Sequence, residues 1–527
     1  MRVILNKKQE KNEAPCQMPG QRGSFFEHKG TKQTKNFQPG IPHPSNSLQR
    51  TFVSFVPLSS NAAAALVPAP SPCMDDRFRK ARIESIMMSS EPKTVFVGLA
   101  GLGNVGAGVY KNLLKNGDLL TDRTGVRIQV KRIAVRSPEK HTGLQIPEGM
   151  LTTDWRDLVA DPAIPVIVEL IGGVTEAYDL VKAAIAARKT VVTGNKALLA
   201  THGFELIALA EQENVPLYFE AAVAGGIPII KAVREALIGN HIQAIYGIIN
   251  GTTNYILTRM SDAGLSYEQA LGEAQALGYA EADPTLDVNG WDAGHKAIIL
   301  AWLSYGDWVK PEQVHVEGVT HLTQADLKFA RSMGYAVKLL GVIRLDATNH
   351  IEIRVQPCLI PQSNIMANVH GVMNAVAVYG DIVGETLFYG SGAGQNATSS
   401  SVISDLADAV DNYTNEAGTN NGFVPQGHYG SCLPVDETIS RYYLRLRVDD
   451  RPGVVASISK IIAEHGIGIL SLQQPEVDPG AEADLMLMLH QATFGQMKQA
   501  VAAIAALECV LTPPVLLRVE SLKARES

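Results

Sequence analysis

Thr94-Val-Phe-Val-Gly98-Leu-Ala-Gly101-Leu-Gly103-Asn-Val-Gly106 runs from a short β-branched and aromatic stretch into three glycines spaced GxGxxG. An apolar-periodic segment, residues 105–114, follows at once and predicts a helix. Strand, glycine turn and helix in this order are the context in which the spacing describes a dinucleotide cradle rather than a surface turn. The first glycine permits the tight turn, the second lets backbone approach a pyrophosphate, and the third lets helix and strand pack closely. The anion then meets the unpaired amides of Leu102, Gly103, Asn104 and Val105.

Working outward, 128–135, 166–171 and 190–193 read as buried strands, with 177–188 helical between the last two. Strands alternating with helices predict an α/β, Rossmann-like, doubly wound parallel sheet over residues 93–225. Residues 226–411 turn to longer amphipathic helices with strand-like runs at 241–249, 351–357 and 373–379, which predicts an α+β catalytic or dimerisation domain. Within it, 391–411 return to the nucleotide domain, and 397–409 read as helix. A polar, Gly- and Asn-rich stretch at 412–440 reads as linker. A small βαβ-type terminal domain follows at 441–520, with a strand at 442–448, a helix at 454–464 and a strand at 467–474.

The length of 527 residues allows about three or four domains. With 46% apolar and 19% charged residues the chain should pack as globular domains, and a net charge of −7 argues against a general nucleic-acid binder. Five widely spaced cysteines without a CxxC pair exclude a disulfide framework or zinc site and point to the cytoplasm. No apolar run is long enough to span a membrane. Residues 1–92 differ from the rest. Nine Lys/Arg face three acids in the first fifty residues, without hydrophobic period. We read them as a disordered extension or as sequence upstream of a start near Met87 or Met88, with a transit peptide as the alternative.

At the end of the second strand, where an acid would bind the ribose diol, stands Ala134-Val135-Arg136-Ser137. Arg136 can pair with a 2′-phosphate, so NADP(H) is favoured; were Arg136 to face solvent, NAD(H) would serve equally.

Two segments carry lysines with chemical promise. Thr193-Gly194-Asn195-Lys196 follows a strand, so Lys196 lies just past the carboxyl end of the sheet, where open α/β folds bind ligands. Glu281-Ala-Asp283-Pro-Thr-Leu-Asp287-Val-Asn-Gly-Trp-Asp292-Ala-Gly-His295-Lys296 runs into an apolar stretch. Asp292 and Lys296 stand four apart and share a helix face. A surface ion pair has the same spacing, but the apolar continuation predicts a buried helix, and the acids suit a substrate ammonium. His295 is one residue off that face and reads as packing.

These segments, with Glu220-Ala-Ala-Val-Ala-Gly225-Gly-Ile227-Pro, Asn250-Gly-Thr-Thr-Asn-Tyr-Ile-Leu257 and Gly390-Ser-Gly392-Ala-Gly394, resemble the homoserine dehydrogenase family in its own order over about residues 93–411. Tyr442 to Val454 and Gly466 to Gln474 resemble a ferredoxin-like ACT regulatory domain, as in the longer bacterial members. The resemblance implies NAD(P)-dependent interconversion of L-homoserine and L-aspartate 4-semialdehyde in threonine, methionine and isoleucine biosynthesis, in a homodimer or homotetramer. It makes Lys296 the catalytic acid/base and Lys196 its assistant, in contact with cofactor. Glu281 would bind the substrate ammonium, with Asp292 and Asp287 beside it. Gly392 and Gly394 would close over the cofactor. Glu220, Val223, Gly225 and Ile227 would hold a monovalent cation, usually Na+. Gly194 and Gln395-Asn396-Ala397 depart from the family pattern.

The chemistry agrees. A primary alcohol needs a base on its hydroxyl as hydride leaves. Burial and a neighbouring Lys196 would favour a neutral amine at Lys296. In the terminal domain Asp450, Pro452, Gly453 and Val454 form a Pro-Gly turn opening a helix, where an amino-acid carboxylate could meet free amides. Threonine feedback is the expected use, and dimerisation alone the alternative. Two rivals share parts of the pattern: another two-domain Rossmann oxidoreductase of amino-acid alcohols, which has no need of both lysine segments, and a non-catalytic ACT-domain metabolite sensor, which would have lost a lysine.

Overall fold

The computed structural model describes residues 92–141, 143–415, 423–424, 426–475 and 482–523. The reading of residues 1–91, and Cys16 and Cys73, lie outside them. Cys358, Cys432 and Cys509 are free thiols. No helix among the described residues is long and apolar enough to cross a membrane.

Six parallel strands build the first sheet: β1 (Lys93–Ala100), β2 (Val126–Ala134), β3 (Leu151–Thr152), β4 (Val166–Glu169), β5 (Thr190–Thr193) and β6 (Leu217–Tyr218). Their spatial order is β3-β2-β1-β4-β5-β6, so the chain reverses direction of travel between β1 and β4 and leaves a crevice at their carboxyl ends. β4 and β5 are buried on both faces, which is why they read as unbroken apolar runs. Helix α1 (Asn104–Thr124) extends well past the 105–114 predicted, ending where Gly125 adopts φ 71° and its N–H closes on the Thr121 carbonyl. On the sheet lie α2 (Arg156–Ala160), α3 (Thr175–Ala186) and α4 (Lys196–Gln212). Val166–Glu169 is shorter than the 166–171 predicted because the chain turns at Leu170 into the cofactor crevice.

A second, mixed sheet of ten strands holds β7 (Ile242–Ile248), β8 (His315–Val316), β9 (Tyr335–Leu345), β10 (Ile351–Pro361), β11 (Met373–Gly380), β12 (Gly384–Ser391), β13 (Ile439–Asp449), β14 (Ile469–Gln473), β15 (Glu482–Thr493) and β16 (Val515–Val519). Its order is β12-β11-β7-β9-β10-β16-β13-β15-β14, with β8 beside β10. Helices α5 (Gly251–Ala263), α6 (Tyr267–Ala276), α7 (Trp291–Tyr305) and α8 (Gln324–Ser332) belong to the first five strands of that path. α9 (Gln395–Asn415) leaves them and packs Val402, Leu406, Ala409 and Val410 into the core of the nucleotide sheet. It runs to Asn415, so the start of the expected linker is helical. α10 (Val454–Glu464) and α11 (Phe494–Ala505) cover the last four strands around Ile458, Ile462, Met497 and Ile504.

The terminal strands continue the catalytic sheet. β16 pairs in parallel with β10 at Cys358↔Arg518 and Leu359↔Val519, and antiparallel with β13. Four charges, three of them buried, cross this seam. Arg354 donates to Glu352 and Glu520, and Arg344 reaches Glu352 at 2.8 Å and Glu520 at 3.5 Å.

Candidate active site

The three fingerprint glycines play distinct steric parts. A Cβ on Gly101, whose φ is +96°, would lie 2.4 Å from the Leu170 carbonyl oxygen; one on Gly106 would lie 2.1 Å from that of Gly101. At Gly103 nothing lies within 4 Å, so this is the open face a pyrophosphate can approach. Gly103 caps α1 without a side-chain bond and no acid occupies the first turn, which leaves amides for an anion. A cavity of about 680 Å³ continues from here along Arg136, Ser137, Lys140 and His141 to Gly172 and Gly173. The residues therefore fit a dinucleotide. Lys140, absent from the sequence analysis, adds a positive charge beside Arg136.

The cavity leads to the lysines through a short chain of bonds. Asn195 Nδ2 donates to the Gly173 carbonyl while its Oδ1 accepts the Leu198 amide, capping α4 and fixing Lys196 as its first residue. Glu169, fully buried, accepts from Thr193 Oγ1 and the Ile171 and Gly172 amides, holding the same turn from below. Burial raises its carboxyl above the ordinary value.

From the other domain, α7 is set between Gly290 and Gly306, both left-handed, and is buried along almost its whole length. Lys296 Nζ donates to Asp292 Oδ2 and to the Ile249 carbonyl, each at 2.7 Å. Lys196 Nζ lies 3.2 Å from Asp292 Oδ1. One carboxylate thus bridges the two lysines. The sequence reading expected the two cations to push against each other, whereas the structure sets an anion between them. Burial alone would raise the Asp292 carboxyl, but Lys296, Lys196 and Asn250 outweigh it and hold it well below the carboxylate range. His295 is half-buried against Trp291, as packing requires.

Asn250 organises the acids. Its Oδ1 accepts the Thr253 amide, capping α5, which turns its Nδ2 toward Asp287 Oδ1 at 2.7 Å and Asp292 Oδ2 at 2.8 Å. Thr252 Oγ1 donates to Asp287 Oδ2. Burial first, and the Asp292 charge second, raise the Asp287 carboxyl. Asn250 and Thr252 stand in the sequence analysis only within the family-like stretch Asn250 to Leu257. Glu281 departs from expectation: it is exposed, and its main-chain carbonyl accepts from Gln275. The structure brings Asp287, Asp292, Lys196 and Lys296 together and leaves Glu281 and Asp283 outside.

The glycine turn before α9 faces the fingerprint. Gln395 Nε2 donates to the Asn104 carbonyl at 2.9 Å, and a Cβ on Gly108 would meet Gln395 Cγ at 2.6 Å. The larger residue that departs from the family pattern is accommodated by a missing side chain on α1. Gly394 has φ +112°, and Gly392 packs so closely on Asn374 that no Cβ fits. At the cation loop, Ala224 and Gly225 are left-handed in succession, and a Cβ on Gly225 would meet the Gly392 oxygen at 2.3 Å. The Glu220 carboxylate accepts from the Ile230 and Lys231 amides, and its own amide donates to buried Asp405. Burial raises Glu220 to about 6 and Asp405 to about 7. The Glu220 carboxylate is thus taken up by two amides, and the Glu220, Gly225 and Ile227 carbonyls accept from Val223 N, Ser401 Oγ and Ile229 N. In the terminal domain Gly453 caps α10 at φ +97° with no side-chain bond, and Asp450 accepts from Gln474.

Comparison with known proteins agrees with this geometry. Residues 101–220 match the family described as homoserine dehydrogenase, NAD binding domain, residues 228–407 match homoserine dehydrogenase, and residues 442–509 match the ACT domain. The homoserine dehydrogenase of Pseudomonas aeruginosa is 45% identical over 437 residues, covering 82% of this chain and all of its own. That of Bacillus subtilis is 38% identical, covering 81% and 99%. The crystal structure of a homoserine dehydrogenase from Thiobacillus denitrificans superposes with a TM-score of 0.77 at 44% identity, covering 82% of this chain and 99% of its own. A hyperthermophilic archaeal homoserine dehydrogenase in complex with NADPH gives 0.52 at 28% identity, covering 60% and 98%. A nicotinamide-dinucleotide domain, a lysine-bearing catalytic domain and an ACT domain in this order, with relatives matched along their whole length, place the chain in the homoserine dehydrogenase family of oxidoreductases.

Proposed function

We propose that the chain interconverts L-homoserine and L-aspartate 4-semialdehyde with Lys296 as acid/base, and the observation that carries this is the Asp292 carboxylate bridging Lys196 and Lys296. When bound, the dinucleotide accepts or supplies the hydride. Lys296 moves the proton at the substrate's reacting oxygen: it donates to the forming alkoxide in reduction and receives the hydroxyl proton in oxidation. Asp292 orients the lysine, and Lys196 shares that carboxylate while reaching toward the cofactor side. Asp287, held by Asn250 and Thr252, is the acid the site offers to the substrate ammonium, a role the sequence reading gave chiefly to Glu281. The steps belong to threonine, methionine and isoleucine biosynthesis, in a cytoplasmic homodimer or homotetramer.

NADP(H) is preferred because Arg136 and Lys140 line the cofactor cavity, where an arginine can pair with a 2′-phosphate. Arg136→Ala should raise KM for NADPH about tenfold or more while leaving that for NADH within about twofold. Equal change for both would sever Arg136 from the 2′-phosphate.

A monovalent cation binds the main chain of the Glu220, Val223, Gly225 and Ile227 loop. Replacing Na+ by a bulky organic cation should lower activity several-fold and addition of Na+ should restore it; activity indifferent to the swap refutes the site. Threonine acts at the Asp450–Val454 turn. Millimolar threonine should inhibit the wild type and spare Asp450→Ala, and an unaffected wild type leaves the ACT domain as a dimerisation unit.

A further inference from the structure

Arg136 restricts where the base of a bound dinucleotide can go. The 2′-phosphate it pairs with and the adenine hang on neighbouring carbons of one ribose, so the base lies within a single sugar's reach of that phosphate. The strand beside Arg136 is β3. Ile133 pairs with Leu151 and Ala134 with Thr152, and the Val135 amide donates to the Thr152 carbonyl at 2.9 Å. Residues 153–155 therefore leave the sheet next to residues 135–137, and Arg136, Thr153 and Trp155 line the same cavity of about 680 Å³. Among the described residues that line it, Trp155 brings the one fused aromatic surface. Trp291, Trp302 and Trp308 are not among its walls.

Trp155 occupies a position that local structure alone would give to another residue type. It is the N-cap of α2, where Ser, Thr, Asp or Asn is favoured, and its side chain makes no capping bond. Asp154 supplies that bond instead: its Oδ1 accepts the Arg156 amide at 2.9 Å and the Arg156 guanidinium at 3.2 Å. The guanidinium so held lies 4.6 Å from the centre of the indole ring. The ring is half-buried and packs on the hydrophobic core, so its plane is fixed while part of its surface meets the cavity. A purine stacked on such a surface gains about tenfold or more in affinity, and the gain needs no particular hydrogen-bond pattern on the base.

We propose that Trp155 is the adenine-stacking residue of the cofactor cleft, with Asp154 and Arg156 as the residues that position its ring. The proposal rests on the dinucleotide reading of the cleft and extends it. Arg136 meets the phosphate that distinguishes NADP(H) from NAD(H), whereas Trp155 meets the base that both carry, so the two contributions to affinity are separable.

The test uses the full chain and measures binding directly. Adenosine 2′,5′-bisphosphate, which has the base and the phosphates but no nicotinamide, is titrated by calorimetry and by tryptophan emission, and NADPH and NADH are titrated by their own fluorescence. The bisphosphate should lower the emission of the wild type, because a stacked purine quenches indole. Trp155→Leu keeps apolar bulk and removes the aromatic face; it should weaken the bisphosphate, NADPH and NADH by a common factor of about ten and abolish the emission change. Trp155→Phe should abolish the emission change too, yet hold all three affinities within about threefold. Arg136→Ala should weaken the bisphosphate and NADPH and leave NADH within about twofold. If Trp155→Leu does not fold, the lost emission change and retained affinities of Trp155→Phe give the same reading. The proposal alone is overturned if the wild type binds the bisphosphate with its emission unchanged, if Trp155→Leu binds as tightly as the wild type, or if it weakens NADPH and spares NADH. A wild type that binds none of the three removes the dinucleotide reading itself.

Discussion

Lys296→Ala is expected to lower kcat about 10²- to 10⁴-fold in both directions, the range that a positioned acid/base supplies. The size follows from the geometry. Lys296 Nζ is held by Asp292 and the Ile249 carbonyl at 2.7 Å each, so it reaches the reaction with its orientation already set. NADPH affinity, measured by fluorescence titration, should stay within about threefold, because the cofactor cavity is lined by residues of the nucleotide domain. Lys196→Ala should cost less in kcat and more in cofactor KM, since it keeps only one end of the Asp292 bridge. Near-normal turnover by Lys296→Ala would remove the acid/base assignment and leave the lysine as the structural partner of Asp292.

The second large effect is on stability. Glu520→Ala leaves Arg344 and Arg354 facing a single carboxylate at a buried seam, and breaking such a cluster by removing one partner costs about 3–5 kcal/mol. A urea titration should show the unfolding free energy lowered by that amount, and replacing Arg354 by methionine in the same chain should recover part of it. A loss below about 1 kcal/mol would show that the charges are solvated in solution. The same cluster sets an acid limit. Burial would raise Glu352, but the Arg344 and Arg354 guanidinium groups outweigh it and hold its carboxyl at about 2, below its ordinary 4.5. A depressed folded pKa contributes stability above the unfolded value, so this share is present above about pH 4.5 and is lost as pH falls toward 2.

What the sequence made legible was local. The glycine fingerprint could be read because strand, turn and helix are contiguous, and Asp292 with Lys296 because four residues are one helical turn. The bridge from Asp292 to Lys196 spans two domains and leaves no periodic trace. Glu281 stands apart from the cluster because a carboxylate close in sequence to Lys296 need not be close in space: the turn at Asp283-Pro284 and the short helix Thr285–Val288 carry it outward. Arg354, Glu352 and Glu520 carried no signal in the sequence, since nothing in a strand pattern shows that a distant strand will cover them.

β16 has one further consequence, for dissection of the enzyme. A protein whose sensor hangs on a flexible tether can be trimmed to its catalytic half. Here excision before β13 would strip β10 of its parallel neighbour, bare a row of main-chain groups at Cys358 and Leu359, and orphan the arginines opposite Glu520. Such a fragment presents an unprotected sticky strand and should aggregate, so the role of the terminal domain is better probed by point substitution than by truncation.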